Sequence, residues 1–292
     1  MKPLSLRHAA AVAAACCLLA WVGALPALAT DGTVNSADGV PIHFTDQGQG
    51  APALVFVHGW SCDATYWDEQ VARFAATHRV VAVDLAGHGK SGLERKDYTM
   101  EAFGADVAAV LKKLELKGAI LVGHSMGGPV VVEAALAAPD RVAGVVAVDD
   151  FQNVDLKLPE ASIDVFLAPF VANFKPSVKG WVPHMFPAGA DTALVSAIAN
   201  DMASAPPAVA ISAIRNLLFW LASRTGERLK ALSVPLMCIN ADQQPTLVEP
   251  IKALVPGYQL RVLAGSGHFL MREKPEAFDA LLAETVAAFA KK

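Results

Sequence analysis

Short apolar segments alternate with segments of helical period along much of the chain, and the two patterns predict different elements. An apolar run of about four to eight residues suits a buried strand, whereas an apolar face repeated every three to four residues suits a helix. Strands are predicted at Val40–Thr45, Ala53–Val57, Val80–Val83, Gly118–Val122, Val142–Val148, Pro235–Ile239 and Tyr258–Leu263. Helices are predicted near residues 66–74, 103–114, 126–138, 246–254 and 278–289. Because strands and helices alternate, we expect an α/β protein with a mainly parallel sheet covered on both faces.

The alternation stops between Asp150 and about Lys230. Helical pieces separated by prolines and rich in large apolar residues occupy this stretch. We interpret residues 150–230 as a helical lid inserted into a core made of residues 30–149 and 231–292. Four aromatic residues of the lid are candidates for a hydrophobic substrate pocket: Phe166, Phe170, Trp181 and Trp220. The same aromatic side chains could equally form the interior of the lid.

Residues 1–29 have the parts of a secretory signal peptide. Two basic residues precede an apolar stretch at 9–24, and Ala27-Leu28-Ala29 supplies small residues at the cleavage positions. We therefore expect a secreted or periplasmic protein whose mature chain begins at Thr30. A retained membrane anchor is the alternative, because the apolar stretch is close to the minimum length of a spanning helix.

Composition and charge favour one domain that acts on a small molecule. The formal net charge is −4, and no long run of lysine or arginine provides the electrostatic footprint of a nucleic-acid-binding protein. Of four cysteines only Cys62 and Cys238 follow residue 29, so the fold is not a disulfide scaffold, and their pairing is left open. We expect no metal, no cofactor and no membrane span in the mature chain; the oligomeric state is open.

The strand at 118–122 leads directly into Gly123-His124-Ser125-Met126-Gly127, a G-x-S-x-G pentapeptide. An apolar run before this motif predicts a nucleophile elbow, a sharp strand-to-helix turn that exposes the serine hydroxyl. A serine hydroxyl is a weak nucleophile at its free pKa, so a neighbouring histidine must take its proton. Ser125 is therefore the candidate nucleophile.

The candidate base is a histidine near the carboxyl end of a strand, where open α/β sheets bind ligands. His268 follows the last predicted strand in the glycine-containing loop Gly265-Ser266-Gly267, which would let the imidazole reach across the strand ends. His184 also follows the serine, but it lies in the predicted lid and is interpreted as a pocket-lining or structural residue.

The candidate oxyanion hole lies partly in His58-Gly59-Trp60, which ends the strand at 53–57. We predict that the backbone N–H groups of Trp60 and Met126 point at the developing oxyanion. His58 is expected to brace this loop rather than to take part in catalysis.

Residues Gly87–Gly92 also fit G-x-G-x-x-G and contain Gly-Lys-Ser, a pattern that suggests a nucleotide-binding loop. A P-loop requires a glycine five residues before Gly89, where the chain has Asp84, and a helix directly after the motif. The following residues are charged and loop-like instead. The motif is therefore interpreted as a structural loop.

Four motifs together resemble those of the α/β-hydrolase family, over essentially all of the chain after residue 29. They are His58-Gly59-Trp60, Asp84-Leu85-Ala86-Gly87-His88-Gly89-Lys90-Ser91, Gly123-His124-Ser125-Met126-Gly127-Gly128 and Gly267-His268-Phe269. The resemblance implies an eight-stranded, mostly parallel sheet, a lid inserted after the sixth strand, and a triad in the order Ser, acid, His.

The acid is where the sequence departs from the family pattern. That pattern has Gly-x-x-Asp after the strand that precedes the histidine strand, and this chain has Asn240-Ala241-Asp242-Gln243 there. Asp242 comes one residue early, and we predict that it orients His268. Asp150, after the sixth strand, is the alternative, because some relatives place the acid there; Asp149 is interpreted as a strand-end residue.

These residues predict an exported serine hydrolase in which Ser125 attacks a carbonyl, His268 moves the proton and water resolves an acyl-enzyme. A small, hydrophobic carboxylic ester is the expected substrate. Lactonase, amidase, acyltransferase, C–C bond hydrolase and perhydrolase activities use the same triad and are left open. A non-catalytic protein that binds a small ligand on the same fold is the competing class.

Overall fold

A computed structural model describes residues 30–289, so the predicted signal peptide lies outside the described residues. Within that range, eight strands form one sheet. They are β1 (Thr30–Asn35), β2 (Pro41–Gln47), β3 (Leu54–Val57), β4 (Val80–Val83), β5 (Ala119–His124), β6 (Val142–Val148), β7 (Leu236–Ala241) and β8 (Gln259–Leu263). Their order across the sheet is β1-β2-β4-β3-β5-β6-β7-β8.

The sheet is mostly parallel. β2 pairs antiparallel with both β1 and β4, and every pairing from β4 through β3 to β8 is parallel. All side chains of β3, β4, β5 and β7 are buried, as expected for strands covered on both faces. The predicted fold class is confirmed.

Helices follow most of the parallel strands. In the core they are α1 (Asp68–Phe74), α2 (Met100–Lys113), α3 (Gly127–Ala137), α9 (Val248–Leu254), α10 (Leu270–Glu273) and α11 (Pro275–Phe289). α2 packs against α3, whereas α11 packs against α1 and the strands β6, β7 and β8. Because parallel strands end at the same edge, the loops after β3, β5, β6, β7 and β8 meet there.

A helical insertion separates β6 from β7, where the lid was predicted. Its helices are α4 (Glu160–Ala172), α5 (Phe174–Trp181), α6 (Thr192–Met202), α7 (Pro207–Ser223) and α8 (Thr225–Ala231), with a 3₁₀ turn at Val182–Met185. Within residues 30–289 no single helix is both long and apolar enough to cross a membrane; α6 and α7 satisfy length and composition only as a pair, bent by 102°.

A buried carboxylate of the core anchors the insertion. Glu133 in α3 accepts a hydrogen bond from Trp220 Nε1 at 2.7 Å and pairs through both oxygens with Arg228, at 2.7 and 2.6 Å. Its side chain is only 3% exposed, so the partners supply the interactions that water would otherwise provide. The prediction that Trp220 lines the substrate pocket is wrong, because this contact holds its indole against α3.

The loop at Gly87–Gly92 is structural, as predicted. The buried Asp84 carboxylate accepts hydrogen bonds from the backbone N–H of Lys90 at 3.0 Å and of Ala64 at 2.8 Å. Ser91 Oγ donates to the Asp84 carbonyl at 2.6 Å. These hydrogen bonds hold the loop against the protein itself.

The two cysteines of the described chain, Cys62 and Cys238, are buried free thiols and do not form a disulfide with each other. Burial raises the pKa of both. Thiols of this kind are unreactive, because the thiolate is the reactive form.

Candidate active site

Ser125 occupies the turn between β5 and α3 in a strained backbone conformation. Its φ is 51°, in the left-handed region that residues with a side chain rarely adopt. Close approach of backbone explains the flanking glycine, since a Cβ on Gly127 would lie 2.6 Å from the Val57 carbonyl oxygen. The turn is fixed by hydrogen bonds from Ser125 N–H to the Val148 carbonyl, at 3.0 Å, and from Gly128 N–H to the Ser125 carbonyl, at 2.7 Å. This is the geometry of a nucleophile elbow.

The imidazole of His268 is held by Asp149, the residue directly after β6. His268 Nδ1 lies 2.6 Å from Asp149 Oδ2, and Asp149 Oδ1 accepts the backbone N–H of Ala241 at 3.0 Å. Burial by itself would raise the pKa of Asp149, but the hydrogen bond and charge of His268 outweigh it, so the net shift is downward. An ionised carboxylate on Nδ1 favours the tautomer that leaves Nε2 free to accept a proton.

The prediction that Asp242 orients the imidazole is wrong in this structure. Asp242 Oδ1 instead accepts the backbone N–H of Gly265 at 2.8 Å, at the turn that follows β8. Since β6 and β7 are neighbours, an aspartate after either strand begins close to the same imidazole. The left-handed conformation of Asp149, with φ 49°, is what turns its side chain toward His268.

Asp150, the alternative acid, also makes a different contact. Its Oδ1 accepts the backbone N–H of Phe151 at 2.6 Å, and its Oδ2 packs against Gly128 in α3 with no hydrogen-bond partner in the described chain. Burial raises the pKa of Asp150 well above its usual range, and the neighbouring charge of Asp149 raises it further. The pKa values of the two consecutive aspartates are therefore shifted in opposite directions.

Asn240, in β7, fixes the backbone that carries both aspartates. Its Oδ1 accepts the N–H of Asp150 at 3.2 Å, and its Nδ2 donates to the Asp150 carbonyl and to Thr246 Oγ1, each at 2.9 Å. The side chain is fully buried. One side chain thus links the loops after β6 and β7.

His124, the residue before the nucleophile, contacts the loop at residues 265–269 that carries His268, here called the base loop. The sequence motifs did not predict this contact. Its Nε2 donates to the His268 carbonyl oxygen at 2.8 Å, and the two rings lie 4.7 Å apart. Burial lowers the pKa of His124 to about 3, so it is neutral near pH 7. Nothing in the pentapeptide pattern distinguishes this role from that of any other residue at the same position.

The loop after β3 is braced as predicted. His58 Nδ1 donates to the Gly59 carbonyl at 2.8 Å, and its Nε2 accepts the backbone N–H of Leu85 at 3.0 Å. The backbone N–H groups of Trp60 and Met126 donate to no other protein group within residues 30–289. Trp60 lines the cavity described below and Met126 is fully buried, so their role as oxyanion donors stays a prediction.

Trp60 joins this loop to the helical insertion. Its indole Nε1 donates to the Ala210 carbonyl of α7 at 2.7 Å, and its ring meets Trp181 edge-on with centroids 5.6 Å apart. Phe170 packs edge-on against the same two rings, at 6.0 and 5.5 Å. Phe170 is buried and is not among the residues that line the cavity described below, so the prediction that it lines the pocket is wrong.

Ser125, His268 and Asp149 line one cavity of about 480 Å³, a volume suited to a small ligand. Two of the predicted pocket residues, Phe166 and Trp181, line it. The insertion also contributes Met185, Met202, Ile214, Leu217 and Leu218 to the apolar lining of the cavity. Its other polar residues are Cys62, His124, Gln152, His184, Gln243 and Gln244. Within residues 30–289 no cluster of three or more His, Cys, Asp or Glu side chains is placed to hold a metal ion.

The base loop also rests on the insertion. The backbone N–H of His268 donates to the Met185 carbonyl at 2.8 Å, and a Cβ on Gly267 would lie 2.5 Å from the same oxygen. The glycine before the histidine is thus required by close packing.

Residues 54–281 match the model of the alpha/beta hydrolase family, and the chain belongs to that family. The sheet order and the turn at Ser125 described above agree with this membership.

Relatives and similar structures carry several activities. A non-heme chloroperoxidase of Streptomyces lividans is 40% identical over 153 residues, 49% of this chain and 55% of the relative. A bifunctional esterase/perhydrolase of Acinetobacter calcoaceticus is 42% identical over 99 residues, 33% of this chain and 36% of the relative. The match thus spans about half or less of these relatives' length. The solved structure of an N-acyl homoserine lactone degrading enzyme superposes with a TM-score of 0.74 at 26% identity, covering 87% of this chain and 99% of the other.

Proposed function

We propose that the protein is a serine esterase that hydrolyses small carboxylic esters through an acyl-enzyme on Ser125. The observation that carries the proposal is the 2.6 Å hydrogen bond between Asp149 and His268, at a cavity that Ser125 also lines. A nucleophile on a strained turn, a histidine and a buried carboxylate on that histidine are the parts of a Ser-His-Asp triad.

In the first half of the reaction, Ser125 Oγ attacks the ester carbonyl while His268 Nε2 takes the hydroxyl proton. The negative charge that develops on the carbonyl oxygen is stabilised by the backbone N–H groups of Trp60 and Met126. Removing one such donor costs about 2.7–4 kcal/mol of transition-state stabilisation. The C–O bond then breaks, and His268 gives its proton to the departing alkoxide.

In the second half, water attacks the acyl-enzyme and His268 takes its proton. Collapse of the tetrahedral intermediate releases the carboxylic acid, and the proton returns to Ser125 Oγ. Throughout, Asp149 stays ionised and holds the imidazole in the productive tautomer. Asp149 thus takes the role that was predicted for Asp242.

Labelling with a fluorophosphonate tests the nucleophile. We expect a single adduct on Ser125, abolished in Ser125→Ala, and hydrolysis of p-nitrophenyl esters that depends on acyl length. Folded protein that gives no adduct would instead support a non-catalytic ligand-binding protein.

Perhydrolysis is the second candidate, favoured by the relatives named perhydrolase and chloroperoxidase. In this reaction hydrogen peroxide replaces water as the nucleophile on the acyl-enzyme, and the products are a peracid and free enzyme. The test is peracid formation from acetate and peroxide, with bromide oxidation as the readout. If the protein hydrolyses esters but forms no peracid, its activity is restricted to hydrolysis.

Export is part of the proposal. It is supported by the signal-like residues 1–29. N-terminal sequencing of protein recovered outside the cytoplasm should start at Thr30; a chain that keeps residues 1–29 contradicts it.

A further inference from the structure

The cavity has a polar part that the triad does not use. Gln152 follows β6, and Gln243 and Gln244 follow β7; all three line the cavity beside His184 of the insertion. These loops are the ones in which a triad acid was sought. Because Asp149 pairs with His268, the loop after β7 supplies no triad acid and places two glutamines at the cavity instead.

The three glutamines are not equivalent. Gln243 Nε2 lies 3.4 Å from the His184 carbonyl and 3.3 Å from the Phe186 carbonyl, so it holds the insertion. Within residues 30–289 the side-chain amides of Gln152 and Gln244 have no hydrogen-bond partner. A purely apolar ligand that covered them would desolvate donors and acceptors without replacing their bonds to water, at a cost in binding.

The charge of the lining limits which polar group fits there. Among the described residues that line the cavity there is no lysine, arginine or glutamate. Its one aspartate, Asp149, is already paired with His268. An anionic group would find no lysine or arginine there, whereas an amide or hydroxyl would find both donors and acceptors in the glutamine amides.

Topology assigns these glutamines to the alcohol side of the ester. His268 protonates the departing alkoxide, so the alcohol part lies on the His268 side of Ser125. In the sheet order β3-β5-β6-β7-β8, Gln152 and Gln244 follow the strands between the nucleophile strand and the His268 strand. Trp60, with its proposed oxyanion N–H, follows β3 on the opposite side of β5.

We propose that the site selects esters whose alcohol part carries a neutral hydrogen-bonding group, such as an amide, which Gln152 and Gln244 bind. The apolar lining from the insertion takes the acyl chain. This proposal rests on the proposed esterase function and names its substrate class.

The test uses hexanoyl esters of three alcohols with equal numbers of non-hydrogen atoms: N-acetylethanolamine, n-hexanol and 4-hydroxybutanoate. We expect kcat/KM to be highest for the amide, about tenfold above the alkyl ester, since two hydrogen bonds are gained. The anionic ester should be the poorest substrate. In Gln152→Met/Gln244→Met the amide-to-alkyl ratio should fall about tenfold. Gln47→Met, at the far end of β2 from the site, is the matched control and should keep the wild-type ratio.

An unchanged ratio in the double variant overturns the proposal, as does a preference for the anionic ester. Moving the amide to the acyl part, in hexyl N-acetyl-β-alaninate, should abolish the preference; a preference that persists there contradicts the assignment to the alcohol side. Failure of the esterase function looks different, because then Ser125 gives no fluorophosphonate adduct and none of the esters is cleaved.

Discussion

The loops after β6 and β7 each present an aspartate at the same edge of the sheet, and the two carboxylates have different partners. Asp149 lies 2.6 Å from the imidazole of His268 and is mostly buried, whereas Asp242 is exposed and accepts a single backbone N–H from Gly265. In the resembled motif the acid belongs after β7. In this chain the β7 loop instead supports the acid from behind, through Ala241 N–H on Asp149.

The location of the acid is therefore set by the conformation of the loop more than by the strand that the loop follows. Adjacent parallel strands deliver their carboxyl ends to one place, so an acid from either can reach the base. The choice then depends on one residue of backbone in the left-handed region, at Asp149. Such strain is retained where surrounding contacts determine it, here the hydrogen bonds of Asn240 and Ala241.

Asp149 and Asp242 should differ most in their contribution to kcat. Asp149→Asn should lower kcat by about 10⁴-fold, because an amide at this position favours the wrong imidazole tautomer. KM should change little, since the carboxylate is already paired with His268. Initial rates on p-nitrophenyl butyrate, with fluorophosphonate labelling to count sites, measure it. A decrease of less than tenfold would place the acid elsewhere.

The link between the loops is tested through stability. Asn240→Leu removes three hydrogen bonds and leaves the buried N–H and C=O of Asp150 unpaired, so the free energy of unfolding should fall by about 2–5 kcal/mol. Urea denaturation measures this. Thr246→Val removes one of the three bonds and should cost about 1 kcal/mol. Equal effects for the two variants would show that Asn240 does not hold the β6 loop.

Asp150 and Asp149 in the loop after β6 can be distinguished by the pH dependence of stability. Its pKa is raised in the folded protein, so above the ordinary value of 3.8 the unfolded chain releases a proton that the folded chain keeps. Wild-type stability therefore carries a term that falls as pH rises through this window. Asp150→Asn does not titrate, and its Tm relative to wild type should increase from pH 4 to pH 7. A difference in Tm that does not change with pH contradicts the burial argument.

The smallest effect is expected at Asp242. In Asp242→Asn the amide oxygen can still accept the N–H of Gly265, so kcat should stay within about threefold of wild type and the free energy of unfolding within about 1 kcal/mol. Asp242→Ala loses that bond and should cost about 0.5–1.5 kcal/mol. Rate measurements and thermal melts of both variants suffice. A loss in kcat comparable to that of Asp149→Asn would restore the original assignment.

Much of the fold is predictable because its strands are continuous apolar runs. The strands at Val80–Val83 and Val142–Val148 begin and end where the apolar runs do. β1 was not predicted, because Thr-Asp-Gly-Thr-Val-Asn is polar and its side chains are exposed or half-buried. Only pairing with β2 at the sheet edge makes it a strand.

The site is predictable where chemistry requires a residue type at a fixed place in a turn. Ser125 and His268 follow strands in glycine-flanked motifs, and both line the cavity. The acid was not predictable, because no local pattern distinguishes Asp149, Asp150 and Asp242; their partners depend on backbone torsions and on contacts between loops. The same holds for Phe170 and Trp220, since an apolar aromatic pattern does not say which ring faces a cavity and which packs behind it.

The contact of Glu133 with Trp220 and Arg228 restricts how the protein can be re-engineered. Exchange of the insertion for that of a relative would leave the Glu133 carboxylate in α3, eight residues after the nucleophile, without its partners. An unpaired buried charge of this kind costs about 3–5 kcal/mol. A functional chimera therefore needs either a graft that brings its own arginine to this position or an apolar replacement of Glu133.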